Sequence, residues 1–241
     1  MIVILTDFGH SEYLGVMKGI IYSIKRNTKI VDLSHDVNHQ NIKEAAWILC
    51  NNYKYFPKGT IFLCVVDPGV GSKRQCLAIK TKNYFFVGPD NGLMYKSAVG
   101  DKLIYAVKLP AKNASMTFHG RDVFAKAAAM LEKGIKIESL GRKAPIKSKM
   151  DFYLKGRQGE IVRIDNFGNI ITNLSSLNKK LYNLKTKNFS KKLNFCKTYA
   201  EAAVKKPFLI KGSSNTLEIS VKNSNASEKL RLKVGDKIEI K

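Results

Sequence analysis

Two runs of the chain leave little freedom in how it folds: "MIVILTDFG", Met1 to Gly9, and "TIFLCVVDPGVG", Thr60 to Gly71. Each is an unbroken apolar stretch of strand length that ends in an aspartate and a glycine turn. A strand that is apolar on both faces must be covered on both faces, the situation of a parallel sheet between helical layers. Helical spacings separate these runs. "SEYLGVMKGIIYSIKR" predicts a first helix, and "NIKEAAWILCNNYKYF" repeats apolar residues at Ile42, Ala45, Ala46 and Leu49. "KIVDLSHDV" reads as a further strand, "CLAIKTKNYFFVGPDNGL" as two strands around a Lys-Asn turn, and "RDVFAKAAAMLEKG" as a helix closed by Gly134. The alternation predicts an α/β domain with a mostly parallel sheet.

The character changes near "GRKAPIKSKMDFY". Beyond it, "GEIVRIDNFGNIITNL", "KPFLIKGSSNTLEISV" and "LKVGDKIEIK" are short strand signals separated by Asn, Ser, Gly and Lys. That pattern predicts a smaller all-β, barrel-like domain. The expected division is residues 1–149 for the α/β domain and 150–241 for the barrel.

Charge raises the question of partners. Lys plus Arg number 42 against 19 acids, a formal net charge of +23, and such a surplus attracts polyanions. The basic residues are nevertheless spread along the chain, with no block of five like charges and no zinc-finger, KH, RNP or helix-turn-helix signature. Nucleic acid is therefore not the expected partner. Cys50, Cys64, Cys76 and Cys196 form no CxxC pair and read as reduced, mostly buried thiols. No apolar run approaches the roughly 18 residues of a membrane span, and the N-terminal run lacks the basic start of a signal peptide. The expectation is a cytoplasmic protein without a membrane segment.

Several motifs are look-alikes. "DFG" at Asp7 lacks the glycine-rich and catalytic loops of a kinase, and "GVGSK" lacks the spacing of a phosphate loop. His35, Asp36 and His39 have no third ligand at metal-site spacing, so no metal is expected. What remains is a set of polar residues beyond strand ends, where open α/β sheets bind ligands. Asp7 follows the first strand, Asp67 the third, Arg74 the turn after it, "GPDNG" a later strand, and His119 precedes a helix. Singly, each has an ordinary structural role: Asp7 and Asp67 as caps, Arg74 as a surface cation, His119 as a satisfied core histidine. Jointly, they would gather at one edge of one sheet.

"TDFG", "VDPGVGSKR", "VGPDNGL", "TFHGRDVFA", "IDNFGNIITN" and "LEISVKNSNAS" together resemble, in order and over essentially the whole chain, the S-adenosylmethionine hydrolases (adenosine-forming). These are also called hydroxide adenosyltransferases and are relatives of the fluorinating and chlorinating enzymes. The resemblance implies an α/β domain followed by a β barrel. It also implies a homotrimer whose sites lie where one subunit's first domain meets a neighbour's second, and no cofactor besides the substrate. It maps a catalytic Asp-Arg-His triad onto Asp67, Arg74 and His119. For substrate contacts it implies Asp7 on the ribose hydroxyls, Asp165 on the methionine ammonium, Asn169 and the backbone near Ala226 on the adenine edge, Tyr199 beside the base, and Ser213 at the methionine carboxylate.

These residue types suit the chemistry. Free water has a pKa of about 15.7, so a neutral site must make it more nucleophilic. A carboxylate accepts its proton, a guanidinium that cannot deprotonate steadies developing hydroxide, and an imidazole orients the water or relays the proton. Two departures from the family pattern stand out. His39-Gln40 replaces a Pro-aromatic pair, which makes one wall of the pocket less apolar. "GSSNTLEI" replaces a more usual Ser-aromatic/Arg-Gly-Tyr sequence, with Asn215 and Thr216 at its last two positions, which affects the methionine-end contacts and not the triad. A halide-transferring enzyme on the same fold and a non-catalytic nucleoside-binding module are the alternatives. A carboxylate at Asp67 would repel a halide at that place.

Overall fold

The computed structural model describes residues 1–241. The chain begins β1 (Ile2–Thr6), α1 (Glu12–Ile24), β2 (Ile30–Ser34), α2 (Ile42–Asn52) and β3 (Ile61–Val65). All five residues of β1 and of β3 are buried, because alternate side chains feed two separate cores. Ile2, Ile4, Ile61, Leu63 and Val65 pack with Met17 and Ile21 of α1, while Val3, Leu5, Phe62 and Cys64 pack with Ala45, Ile48 and Leu49 of α2. The period of two along a strand sends neighbouring residues to opposite faces, so an unbroken apolar run is the signature of a strand between two layers.

Next come β4 (Cys76–Thr81), β5 (Phe85–Pro89), α3 (Tyr95–Gly100), β6 (Leu103–Lys108), a π-helical turn (Gly120–Ala125) running into α4 (Lys126–Glu132), and β7 (Arg142–Lys143). The strand order is β2-β1-β3-β5-β4-β6-β7. Pairings of β1 with β2, β1 with β3 and β3 with β5 are parallel, whereas β4 with β5, β4 with β6 and β6 with β7 are antiparallel. The sheet is therefore mixed, and the expectation of a mostly parallel one holds only for its first half. The reason is connection length. A helix separates β1 from β2 and β2 from β3, which permits a parallel crossover, but only Lys82, Asn83 and Tyr84 separate β4 from β5, enough only for a reversal.

Met1–Met150 form one compact unit and Asp151–Lys241 a second. The second unit contains β8 (Gln158–Ile164), β9 (Ile170–Ser175), β10 (Leu181–Lys185), β11 (Ser190–Asn194), β12 (Pro207–Lys211), β13 (Thr216–Val221), α5 (Ala226–Leu230) and β14 (Lys237–Ile240). Its sheet runs β11-β10-β14-β8-β9-β13-β12, and the neighbouring strands pair antiparallel. A bridge between Phe195 and Leu209 draws the two edges toward each other, with Cys196 N donating to Leu209 O at 2.8 Å. The result is a nearly closed barrel filled by Ile161, Ile170, Tyr182, Leu184, Leu217, Ile219 and Ile240. The hairpin of β10 and β11 carries mostly Lys, Asn and Ser on its outer face, and that weak apolar signal hides it from the sequence.

Cys64, Cys76 and Cys196 are buried, Cys50 is half-buried, and all four are free thiols. No helix is long and apolar enough to cross a membrane.

Candidate active site

β3 ends at Val65 and β4 begins at Cys76, yet β5 lies between them in the sheet. The connecting segment therefore passes over the end of β5, and its course is tightly determined. Val70 N donates to Asp67 O at 3.2 Å and Ser72 N to Gly69 O at 3.1 Å. Ser72 Oγ accepts from Arg74 N at 3.3 Å. Gly71 takes φ +76°, and a Cβ there would stand 2.4 Å from the Met116 carbonyl oxygen. Only glycine meets both demands.

This turn faces Arg74 back onto Asp67. Arg74 Nε donates to Asp67 Oδ1 at 2.9 Å, and Nη2 donates to Oδ2 in the second arm of a fork. Nη2 also reaches His119 Nδ1 at 2.8 Å, and Nη1 reaches Cys76 Sγ at 2.8 Å. Asp67 and Arg74 side chains are 6% and 9% exposed, and His119 is 5% exposed. The face of Phe124 lies 5.5 Å from the guanidinium carbon. The three residues assigned to the triad thus share one cluster.

The electrostatics follow from these contacts. Burial opposes the charge on Arg74, but the Asp67 carboxylate outweighs it and holds the guanidinium above its ordinary range. Burial, then the Arg74 cation, push His119 below its ordinary value, so the imidazole is neutral near pH 7. A guanidinium has only donors. His119 Nδ1 must therefore be the acceptor, which leaves the ring proton on Nε2.

Asp67 and His119 open into a cleft of about 450 Å³ that is also lined by Asp7, Phe8, Tyr13, His39, Gln40 and Phe118. Asp7 stands just past β1, and Gln40 N donates to its Oδ2 at 2.8 Å. His39 Nδ1 donates to the Asp7 carbonyl at 3.2 Å. The pair that departs from the family pattern is thus part of a polar wall of this cleft and fixes the acid beside it. Phe8, Tyr13 and Phe118 make the apolar wall through edge-on ring contacts at 5.0 to 6.1 Å. Sequence reasoning missed these rings. Their signal was adjacency to the acids and the histidine, as in "DFG" and "TFHG".

Asp90 of "GPDNG" does not reach the cleft. Its carboxylate accepts from Gln75 Nε2, Lys147 N and Ser148 N at 3.0 to 3.1 Å, clasping the segment after β7. His35 and His39 also part company. His35 Nδ1 bonds Thr6 Oγ1 at 2.8 Å and its Nε2 lies 3.1 Å from Asp32, so the two imidazoles serve different neighbours.

In the second unit, Asp165 and Asn169 meet in the turn from β8 to β9. Asp165 Oδ1 accepts from Phe167 N at 3.0 Å and Asn169 N at 2.8 Å, and Oδ2 accepts from Asn169 Nδ2 at 2.9 Å. These two residues and Tyr199 line a cavity of about 820 Å³ together with Phe167, Lys222 and Asn223. Tyr199 is held through its hydroxyl, 3.3 Å from Ser220 Oγ. Burial, then the Asp165 carboxylate, raise the pKa of Glu218 on β13, an acid absent from the sequence reading. Ala226 is buried at the start of α5, where Ser227 N donates to Gly168 O at 3.1 Å, so its backbone adjoins the Asp165 turn without lining the cavity. Ser213 lies exposed on the turn joining β12 to β13. It is not among the cavity's walls, because a tight hairpin with Asn215 at φ +62° carries it along the barrel edge.

Residues 2–141 match the family model of the SAM hydroxide adenosyltransferase N-terminal domain, and residues 159–239 match that of the C-terminal domain. The chain belongs to the SAM hydroxide adenosyltransferase family. An (R)-S-adenosyl-L-methionine hydrolase from Methanocaldococcus jannaschii is 36% identical over 260 residues, covering 100% of this chain and 95% of that one. Another from Thermus thermophilus is 34% identical, covering 96% and 95%. The crystal structure of an uncharacterized conserved protein from Thermotoga maritima superposes with a TM-score of 0.92 at 32% identity, with full coverage of both chains. Family membership thus spans both units, including the cleft and the barrel turn.

Proposed function

We propose that this family member hydrolyses S-adenosyl-L-methionine to adenosine and L-methionine, by attack of a water on the ribose C5′ carbon. The carrying observation is the cluster in which one guanidinium forks onto Asp67 and donates to His119 at 2.8 Å, at the wall of a cleft that Asp7 also lines.

The hydrogen bonding supports a division of roles. His119 Nδ1 is occupied by Arg74, and its Nε2 already carries a proton, so the neutral ring orients the water as a donor and does not take its proton. Asp67 retains lone pairs beyond the two that Arg74 engages and is the proton acceptor. Arg74, bonded to both Asp67 and His119, supplies the fixed positive charge that steadies the developing negative charge. The sulfur leaves as neutral methionine thioether, so the departing group needs no protonation or Lewis acid, and holding the water in line with C5′ supplies much of the acceleration. Asp7 takes the ribose diol. In the barrel, Asp165 takes the ammonium, Asn169 takes the adenine edge and Tyr199 lies beside the base. The homotrimer implied by the resemblance belongs to the same proposal.

Incubation with S-adenosyl-L-methionine, followed by chromatography of the products in chloride and chloride-free buffers, tests it. Adenosine and methionine in equal amounts are expected in both. A 5′-halogenated nucleoside as the main product would replace water with halide as the nucleophile, and retention of intact substrate without turnover would leave a binding module.

A further inference from the structure

Cys76 plays no part in the chemistry above, yet its sulfur touches two of the three catalytic groups. It accepts from Arg74 Nη1 at 2.8 Å and lies 3.6 Å from His119 Nδ1. We propose that Cys76 is a positioning residue: its thiol holds the remaining edge of the Arg74 guanidinium, and through it keeps His119 in the single tautomer whose Nε2–H faces the water. The proposal rests on the hydrolase function above and adds to it a residue that acts through the triad without meeting the substrate.

The geometry of Arg74 explains why such a residue is needed. Its Nε and Nη2 are engaged by Asp67 and His119, which leaves Nη1 as the edge still to be satisfied inside a site where the side chain is 9% exposed. A buried donor without a partner is costly. An arginine on a loop also has several rotatable bonds through which to relax away from His119. Cys76 supplies both a partner and a rigid reference. It is the first residue of β4, 3% exposed, registered against Pro89 of β5, with its carbonyl accepting from Leu109 N at 2.8 Å. The sulfur thus belongs to the sheet, whereas Asp67 and Arg74 belong to the turn.

Burial pushes the Cys76 thiol above its ordinary range, so it stays protonated beside the cation. A protonated thiol is a weak acceptor toward Arg74 and a weak donor toward Nδ1. The approaches of Arg74 Nη2 and of the thiol to Nδ1 both require a bare Nδ1. If the sulfur is removed, Arg74 can rotate, Nδ1 is left free to gain a proton, and His119 then titrates more easily.

The test compares the full-length wild-type chain with Cys76→Ala and Cys76→Ser. Adenosine release is followed over the pH range in which imidazole titrates, and the tautomer of His119 is followed by nitrogen NMR of histidine-labelled protein. The expectation for Cys76→Ala is a loss of about tenfold in kcat with KM within about twofold, because the lost contact does not touch substrate. Its acid limb moves to higher pH, and the NMR shows both tautomers. Cys76→Ser, whose hydroxyl also accepts from Nη1, recovers most of kcat and the wild-type limb. The proposal is overturned if Cys76→Ala keeps the wild-type kcat, pH profile and single tautomer, or if Cys76→Ser is as impaired as Cys76→Ala. Should wild type itself release no adenosine, the hydrolase function fails, and the NMR comparison still decides the role of Cys76.

Discussion

Arg74 is the centre of the cluster, because its edges serve Asp67, His119 and Cys76. Asp67→Asn keeps the shape and an acceptor oxygen but removes the charge proposed to accept the water proton. It should lower kcat by about 10²- to 10⁴-fold with a smaller change in KM, measured by adenosine release. Asp67→Ala would also strand a buried cation, at a cost of about 3–5 kcal/mol, so its folded fraction must be checked by circular dichroism. His119 yields a prediction with a definite sign. Its folded pKa lies below the ordinary 6.5 because of burial and then Arg74, so below that pH the unfolded chain takes up a proton that the native site refuses. Stability therefore falls as pH drops from about 6.5 toward the folded value and levels off beneath it. In urea unfolding, the wild-type curve minus that of His119→Gln should show this component. A flat difference would mean that His119 titrates alike in both states.

The segment from Asp67 to Arg74 works because its shape is imposed from outside as well as within. Gly71→Ala would place an L side chain at φ +76° and drive its Cβ into the Met116 carbonyl. The strain alone costs about 1–2 kcal/mol, and the clash adds to it. The turn would move, taking Arg74 from His119, so adenosine release should fall by at least about tenfold while thermal unfolding still shows a single folded population. An equal substitution at Gly134, φ +95° with no atom within 4 Å of a Cβ, serves as the control for strain without the clash and should spare activity. The strands themselves were readable: β1 and β3 announce burial by unbroken apolar runs, and the Lys-Asn turn of "KTKNYFF" marks a hairpin. The orientation of β5 was not readable, because pairing parallel to β3 and antiparallel to β4 depends on where the hairpin docks.

For the whole molecule, the proposed homotrimer predicts a sedimentation mass about three times the 27.0 kDa of the chain, retained in high salt if the interfaces are apolar. A monomer that turns over substrate at full rate would refute the shared-site arrangement. The net charge of +23 bears on association and not on fold. Its expected signature is weak, salt-sensitive retention of nucleic acid with no effect on adenosine release.

The unbroken hydrophobic runs already dictated strands covered on both faces, and the acids past their ends dictated where a ligand could bind, because side-chain period and chain reversal are local properties. Asp67 and Arg74, seven residues apart across a glycine turn, were close to legible as a pair for the same reason. His119 and Cys76 were not. They lie on separate elements, and only packing of the π-helical turn against the sheet brings an imidazole within 3.6 Å of that thiol. Likewise Ser213, near Asp165 in expectation, sits instead on an exposed hairpin turn, since barrel closure and not sequence order decides which loops share a cavity. Long-range neighbours are selected by the free energy of burying many surfaces at once, a property of the assembled core that no single segment carries.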